Sequence, residues 1–315
     1  MTQPHVTIGV DFGGTKIEAA ALDVSGTPVV RKRIPTPSDY DAALIAVRDL
    51  VEAVEIETAA VDRVGIGAPG SISPKTGLLR NSNTIYLNGR SFTQDLERVL
   101  GKRVRISNDA NCLALSEAVD GAASDARSVF AAILGTGCGG GLVMNGQLIH
   151  GANGIAGEWG HNPLPWPSMD EIRQAPSCWC GQTGCQETWI SGSGLRRDYF
   201  EASGMRATGE EIVAASRCGE VRAAAALERY CDRLARALAA IVNVFDPEAI
   251  VLGGGMANVD ELYEALPRLI RRHVFSDAWS ARIVRAKWGD SSGVRGAARL
   301  WSQDQRQRST SAIDR

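Results

Sequence analysis

A mixed α/β fold of two related halves is what the sequence predicts, and three observations carry it. The segment Gly9-Val10-Asp11-Phe12-Gly13-Gly14-Thr15-Lys16 leads into an apolar run, and Ala132-Ile133-Leu134-Gly135-Thr136-Gly137-Cys138-Gly139 does so again about 120 residues later. Both read as strand, glycine–threonine turn, strand, which makes an internal repeat. A third apolar strand, Ala249-Ile250-Val251-Leu252, ends at Gly253-Gly254-Gly255. One glycine pair alone would mark only a tight hairpin. Two similar turns and a third glycine cluster point to a nucleotide site.

The elements follow in order. Val6–Asp11, Ile17–Leu22 and Pro28–Ile34 are short apolar runs separated by turn residues, as in a β-meander. Pro35-Thr36-Pro37 breaks the chain, and Ser38 or Asp39 can cap a helix. Leu44, Val47, Val51 and Val54 then share one helical face. Val61–Ile66 is a strand ending at Gly67-Ala68-Pro69-Gly70, and Val104-Arg105-Ile106 leads through Asn108-Asp109 into a helix to Ala118. Ser128–Leu134 is a strand that enters the glycine run 135–141 and leaves through Leu142-Val143-Met144. Residues 220–245 are a long helix, and two more helices are expected at 259–273 and 291–301. The polar tail from Ser302 is expected to fray.

A chain of 315 residues suggests about two domains. Its 44% hydrophobic and 22% charged residues exclude a mainly disordered protein. Lys+Arg 34 against Asp+Glu 36 leaves no basic excess to neutralise a nucleic-acid backbone, so no nucleic-acid partner is expected. Apolar stretches fall short of the ~20 residues of a membrane span, and residues 1–5 lack the features of a signal peptide. The expectation is a cytoplasmic protein with no membrane contact. Of seven cysteines, Cys178, Cys180 and Cys185 lie within eight residues. In a reducing compartment such a cluster favours metal binding or chemistry over disulfides.

Glycine lets backbone approach phosphate closely, and successive N–H groups in a turn form an anion nest. Gly13, Gly14, Thr15, Lys16, Thr136 and Gly137 are therefore candidate phosphate-binding residues of a nucleotide site. Neither turn has the P-loop pattern or the dinucleotide fingerprint that opens a helix. Asp11, at a strand end, suits a Mg²⁺ ion held directly or through water. Asp109 is the candidate general base for attack by a hydroxyl; an isolated Asn-Asp would otherwise be read as a helix cap. His161, Cys178, Cys180 and Cys185 are the ligand types of a closed Zn²⁺ site, with a buried free-thiol cluster as the rival.

Asp11-Phe12-Gly13-Gly14-Thr15, Gly157-Glu158-Trp159-Gly160-His161 and Cys178-Trp179-Cys180-Gly181-Gln182-Thr183-Gly184-Cys185-Gln186-Glu187 together resemble the ROK family of sugar kinases and repressors. Gly70-Ser71-Ile72-Ser73-Pro74, Tyr86-Leu87-Asn88-Gly89, His161-Asn162-Pro163-Leu164-Pro165-Trp166 and the run 289–298 are most similar to bacterial fructokinases of the manno(fructo)kinase type. The resemblance implies an actin-like ATPase (ribonuclease H-like) fold, with two α/β domains around a cleft. The expected small domain is 1–107, with a C-terminal helix 294–315 packing back on it, and the large domain is 108–293 with the zinc loop.

The resemblance also implies roles. Asp109 would be the catalytic base, and Asn108, Glu158, His161 and Glu187 would contact sugar hydroxyls. Gly254 and Gly255 would lie near the adenosine, and a structural zinc would be held by His161 and the three cysteines. Residues around Gly70-Ser71 and Asn83-Thr84 would select the sugar. The expected reaction is ATP-dependent phosphorylation of a hexose 6-hydroxyl, D-fructose first, with N-acetylglucosamine or glucose as alternatives. A homodimer is expected as well. A DNA-binding repressor is disfavoured, because only ten residues precede Asp11.

Overall fold

The computed structural model describes residues 6–302. In chain order the elements are β1 (Thr7–Phe12), β2 (Lys16–Leu22), β3 (Pro28–Pro35), α1 (Tyr40–Glu55), β4 (Arg63–Gly67), β5 (Ser71–Ile72), β6 (Leu79–Arg80), α2 (Phe92–Leu100), β7 (Arg103–Ser107) and α3 (Asp109–Val119). They continue with β8 (Ser128–Leu134), β9 (Cys138–Met144), β10 (Gln147–Leu148), α4 (Met169–Arg173), α5 (Glu187–Ile190), α6 (Gly192–Ser203), α7 (Gly209–Arg217) and α8 (Val221–Phe245). β11 (Ala249–Gly253), α9 (Asp260–Ile270), β12 (Arg282–Arg285) and α10 (Ser292–Arg299) complete the set. No helix among the described residues is long and apolar enough to cross a membrane.

The chain forms two compact units. Residues 6–124, 141–156 and 287–302 make the first. Its sheet has the order β3-β2-β1-β4-β7. β1 pairs antiparallel with β2 and parallel with β4, and β4 pairs parallel with β7. α1 is capped by Asp39, whose carboxylate accepts from the Ala42 N–H at 2.9 Å. Leu44, Val47, Val51 and Val54 are buried in one core with Ile8, Val10, Phe12 and Phe92. Burying such side chains is worth about 1.5–3 kcal/mol each. Phe12 and Phe92 meet edge to face, with ring centroids 5.5 Å apart.

This unit extends past the boundary at 107 expected from sequence, because α3 and α10 have almost no side chain between them. A Cβ at Gly296 would lie 1.9 Å from the Cys112 carbonyl oxygen. Likewise a Cβ at Gly9 would lie 2.2 Å from the Val294 oxygen, so β1 and α10 also touch through backbone. The part of the expected C-terminal helix beyond 302 lies outside the described residues.

Residues 125–140 and 157–286 make the second unit. β11 lies between β8 and β12 and is parallel to both. Both faces are covered, so β8 and β11 are continuous apolar runs rather than alternating ones. α8 buries Leu227, Tyr230, Leu234, Leu238 and Val242 at helical spacing. The Tyr230 hydroxyl donates to the Ile190 carbonyl at 2.7 Å, which fixes α5 from beneath.

The glycine run 135–141 is only partly a turn. β9 already begins at Cys138, and Gly139, Gly140 and Gly141 are strand residues. A Cβ at Gly140 would sit 2.7 Å from both the Gly157 carbonyl and the Trp159 ring, so that glycine serves close packing. The sequence reading has no element over 92–100, 187–217 or 282–285, where α2, α5–α7 and β12 form.

Candidate active site

The sequence-predicted residues fall into two sets, one in each unit. In the first unit, β1 delivers Asp11 and the β1–β2 turn supplies Gly13, Gly14 and Thr15. The turn closes with the Gly13 N–H donating to the Lys16 carbonyl at 3.0 Å. Thr36 braces it, donating its hydroxyl to the Gly13 carbonyl at 2.7 Å. Gly14 and Thr15 are exposed, as a phosphate cradle requires. Lys16 instead forms a 3.2 Å ion pair with Asp290 at the surface.

Asp11 sits among carboxylates. Glu18 is opposite it in the β1–β2 register and is buried, 1% exposed. Arg31 and Arg33 both hold Glu18, at 2.5 Å each. Burial first, then repulsion from Asp109 and Glu18, pushes the Asp11 carboxyl up to about 7. A Cβ at Gly293 would lie 2.6 Å from Asp11 Oδ2, so the start of α10 abuts this carboxylate through backbone alone. A hard oxygen donor charged against its surroundings fits a divalent cation. Asp11 is the residue that would hold Mg²⁺.

Asn108 and Asp109 stand where β7 passes into α3. The capping reading of Asn108 is correct: its side-chain oxygen accepts from the Asn111 N–H at 2.7 Å. Asp109 is the first helical residue, and its Oδ1 accepts from the Ala110 N–H at 2.8 Å. Its side chain reaches water yet is crowded on the protein side. Desolvation raises its carboxyl above the ordinary range, against the lowering effect of the Ala110 N–H. Ser107 Oγ and Asn111 Oδ1, two residues to either side, are buried without a hydrogen-bond partner.

The Gly70-Ser71 segment is tied alongside, since the Ala68 N–H donates to the Ser107 carbonyl at 2.9 Å. Gly70 has φ +94°, and a Cβ there would meet the Arg80 carbonyl at 2.5 Å. Ser71 Oγ is buried and unpartnered. Asn83 is exposed, and the Thr84 N–H donates to Ser82 Oγ at 3.0 Å.

In the second unit, Gly135, Thr136 and Gly137 turn the chain from β8 into β9. The Gly192 N–H, at the start of α6, donates to the Gly135 carbonyl at 2.7 Å and holds the turn. Beside the turn lies a cavity of about 530 Å³. Thr136, Ser193, Arg196, Gly209, Gly255 and Met256 are among its lining residues. Its size and mixed polarity suit a small-molecule site. Gly255 faces this cavity, whereas Gly254 serves the fold: its φ is +80°, and a Cβ would sit 2.6 Å from the Leu134 carbonyl. Arg196 and the α6–α7 residues are missing from the sequence reading, which carries no helices there.

The predicted zinc ligands do assemble. The ligand atoms of His161, Cys178, Cys180 and Cys185 all lie within 4.8 Å of one another. His161 Nδ1 is 3.7 Å from Cys178 Sγ, and Cys180 and Cys185 Sγ are 3.6 Å apart. A tetrahedron with Zn–S bonds near 2.3 Å has edges of about 3.8 Å, so the donor set fits zinc in type and spacing. Gly181 and Gly184 turn the loop at φ +90° and +75°. Burial pushes the Cys185 thiol up to about 12, a proton that a metal would displace.

Glu187, two residues beyond Cys185, links the cluster to the glycine turn. Its Oε2 accepts from the Cys138 N–H at 2.9 Å and its Oε1 from the Trp179 indole N–H at 2.7 Å. Glu158 precedes a single 3-10 turn, residues 159–161, that carries His161. The Trp159 indole anchors that turn by donating to the Gly139 carbonyl at 3.0 Å.

Known proteins can be set beside this geometry. The ROK family matches residues 7–304. An N-acetyl-D-glucosamine kinase of Pectobacterium atrosepticum is 42% identical over 300 residues, covering 94% of this chain and 99% of that protein. The crystal structure of a ROK hexokinase from Thermus thermophilus superposes with a TM-score of 0.83 at 31% identity, over 95% of this chain and 100% of that one. A ROK family glucokinase from Streptomyces griseus, in complex with glucose and AMPPNP, gives 0.79 at 29% identity, over 94% and 99%. The chain has the actin-like ATPase fold and belongs to the ROK family.

Proposed function

We propose that this ROK-family sugar kinase transfers the γ-phosphoryl group of ATP to the 6-hydroxyl of N-acetyl-D-glucosamine. The observation that carries the chemistry is Asp109: water-accessible, raised above the ordinary carboxylate range, and flanked by the unpartnered Ser107 Oγ and Asn111 Oδ1. A base raised toward working pH accepts a hydroxyl proton more readily. The sugar assignment departs from the D-fructose expected from sequence. A relative matched along nearly its whole length bears the name N-acetyl-D-glucosamine kinase, which favours the alternative.

In this reading Asp109 takes the proton of the attacking hydroxyl. Asn108, Glu158, His161 and Glu187 orient the sugar, with Gly70, Ser71 and Asn83 setting selectivity. The turns at Gly13-Gly14-Thr15 and Thr136-Gly137 hold phosphates, and the cavity beside Gly255 takes the adenosine. Mg²⁺, when bound at Asp11, supplies charge neutralisation for the phosphates. Zinc at His161, Cys178, Cys180 and Cys185 is structural; no ligand position is left for water.

Asp109→Asn keeps the shape and removes the base. It should lower kcat at least about 10²-fold while KM for sugar and ATP changes little. Near-normal turnover would remove Asp109 from the mechanism.

A further inference from the structure

Trp179 stands between two zinc ligands, and its side chain does not enter the core. It is 58% exposed. For a tryptophan this is unusual, because burying the ring would be favourable. The ring is nevertheless held in place. Its indole N–H donates to Glu187 Oε1 at 2.7 Å. Its face or edge meets His161 in a T-shaped contact, with centroids 5.0 Å apart and planes at 87°. One exposed side chain thus touches two residues assigned to sugar hydroxyls. The turn that carries it is closed by the Cys178 N–H donating to the Gln182 carbonyl at 2.8 Å and the Gly181 N–H donating to the Cys178 carbonyl at 3.0 Å.

We propose that Trp179 is a positioning residue for sugar phosphorylation: its indole N–H holds the Glu187 carboxylate in the orientation that meets the sugar. The inference rests on the reading of Glu187 as a sugar-binding residue. The other Glu187 oxygen is held by the Cys138 N–H. The carboxylate is therefore gripped at both ends. Oε1 also meets Cys178 Sγ at 4.0 Å, but a metal-bound thiolate has no S–H to donate. Without Trp179 the carboxylate can turn about the Cys138 bond. Hydrogen bonds to a charged group are among the stronger ones, and this one also sets direction. A pre-oriented carboxylate costs the enzyme no ordering when sugar binds.

The test compares Trp179→Phe, Glu187→Ala and the double variant. N-acetylglucosamine is the sugar, and zinc per chain is measured for each protein. Trp179→Phe keeps an aromatic side chain beside His161, loses the N–H and is one ring smaller. It should raise KM for the sugar about 10-fold, the order expected for one hydrogen bond to a charged group. Its KM for ATP should stay within about twofold, and its zinc content should match the parent chain. In the Glu187→Ala background, Trp179→Phe should add less than about twofold, since nothing is left to position. A sugar KM unchanged in Trp179→Phe but raised in Glu187→Ala would overturn the inference and leave the reading of Glu187 intact. Full additivity of the two changes would also overturn it. A sugar KM unchanged in Glu187→Ala would overturn the reading of Glu187 and the inference together. Loss of zinc in Trp179→Phe would assign the residue to the metal loop alone and defeat the proposal.

Discussion

Glu187 and Cys138 are 49 residues apart in sequence, and the carboxylate of one caps the backbone N–H of the other at 2.9 Å. This bond joins the end of the Cys178–Cys185 loop to the glycine turn that leads into β9. The fit is close: a Cβ at Gly137 would stand 2.6 Å from the same oxygen.

Glu187→Ala frees the Cys138 N–H and loosens the turn. We expect KM for ATP to rise several-fold in this variant along with KM for the sugar. Trp179→Phe, which leaves the Cys138 bond in place, should spare ATP. Steady-state kinetics with each substrate varied in turn checks this. A Glu187→Ala enzyme with an unchanged KM for ATP would show that the bond does not support ATP binding at the Gly135–Gly137 turn.

Metal removal is the second prediction. One zinc per chain is expected by elemental analysis, and Cys185→Ser should lose it. Without the ion, three clustered thiols and an imidazole have no common partner, and the loop between Gly181 and Gly184 should open. Melting temperature should fall and sugar KM should rise. A metal-free protein with full activity and an unchanged melting curve would contradict the assignment.

The third prediction concerns pH. The Asp11 carboxyl is pushed from 3.8 up to about 7 by burial and by the neighbouring carboxylates. A carboxyl raised on folding favours its protonated form in the native state. Its contribution is therefore neutral below about pH 4, falls as pH rises toward 7, and levels off above that. Asp11→Asn mimics the protonated form. Without Mg²⁺ or nucleotide it should melt several degrees above the parent chain at pH 8, with a clearly smaller gap at pH 5 that closes only below about pH 4. Each kcal/mol moves Tm by ~2–4 °C in domains of this size. A gap that does not change between pH 5 and 8 would contradict the shift.

Glu117 gives the fourth. This carboxylate is fully buried in α3 and accepts from the Ala122 N–H at 2.8 Å, the Lys287 N–H at 3.0 Å, the Trp288 N–H at 3.2 Å and the Ser292 hydroxyl at 2.9 Å. Glu117→Ala leaves these donors unpaired. Each buried orphan costs about 1–3 kcal/mol, so a total loss of at least about 3 kcal/mol is expected. Glu117→Gln keeps an acceptor and should lose less. Chemical denaturation measures both, and a loss under about 1 kcal/mol for Glu117→Ala would mean water replaces the carboxylate.

Local chemistry was legible in the sequence and remote chemistry was not. Asn108 as a cap, Asp39 as a cap and the helical face Leu44-Val47-Val51-Val54 all depend on residues within a turn or two. So does the Cys178-Cys180-Cys185 loop with its two glycines. The Glu18 clamp could have been found: Arg31 and Arg33 share a face of β3, and a carboxylate inside apolar β2 needs a partner. The Glu187–Cys138 bond and the role of Glu117 could not, because each joins segments brought together only by the fold. The glycine run 135–141 misled because a glycine for a turn and a glycine for close packing look alike in sequence.

The substrate is where the account is tested most directly. Purified protein with Mg²⁺ and ATP should be assayed for ADP release across N-acetylglucosamine, fructose, mannose and glucose, with the product located by NMR. The account predicts the highest kcat/KM for N-acetylglucosamine, with phosphate on the 6-oxygen. A higher kcat/KM for fructose, or phosphate on another oxygen, would contradict it.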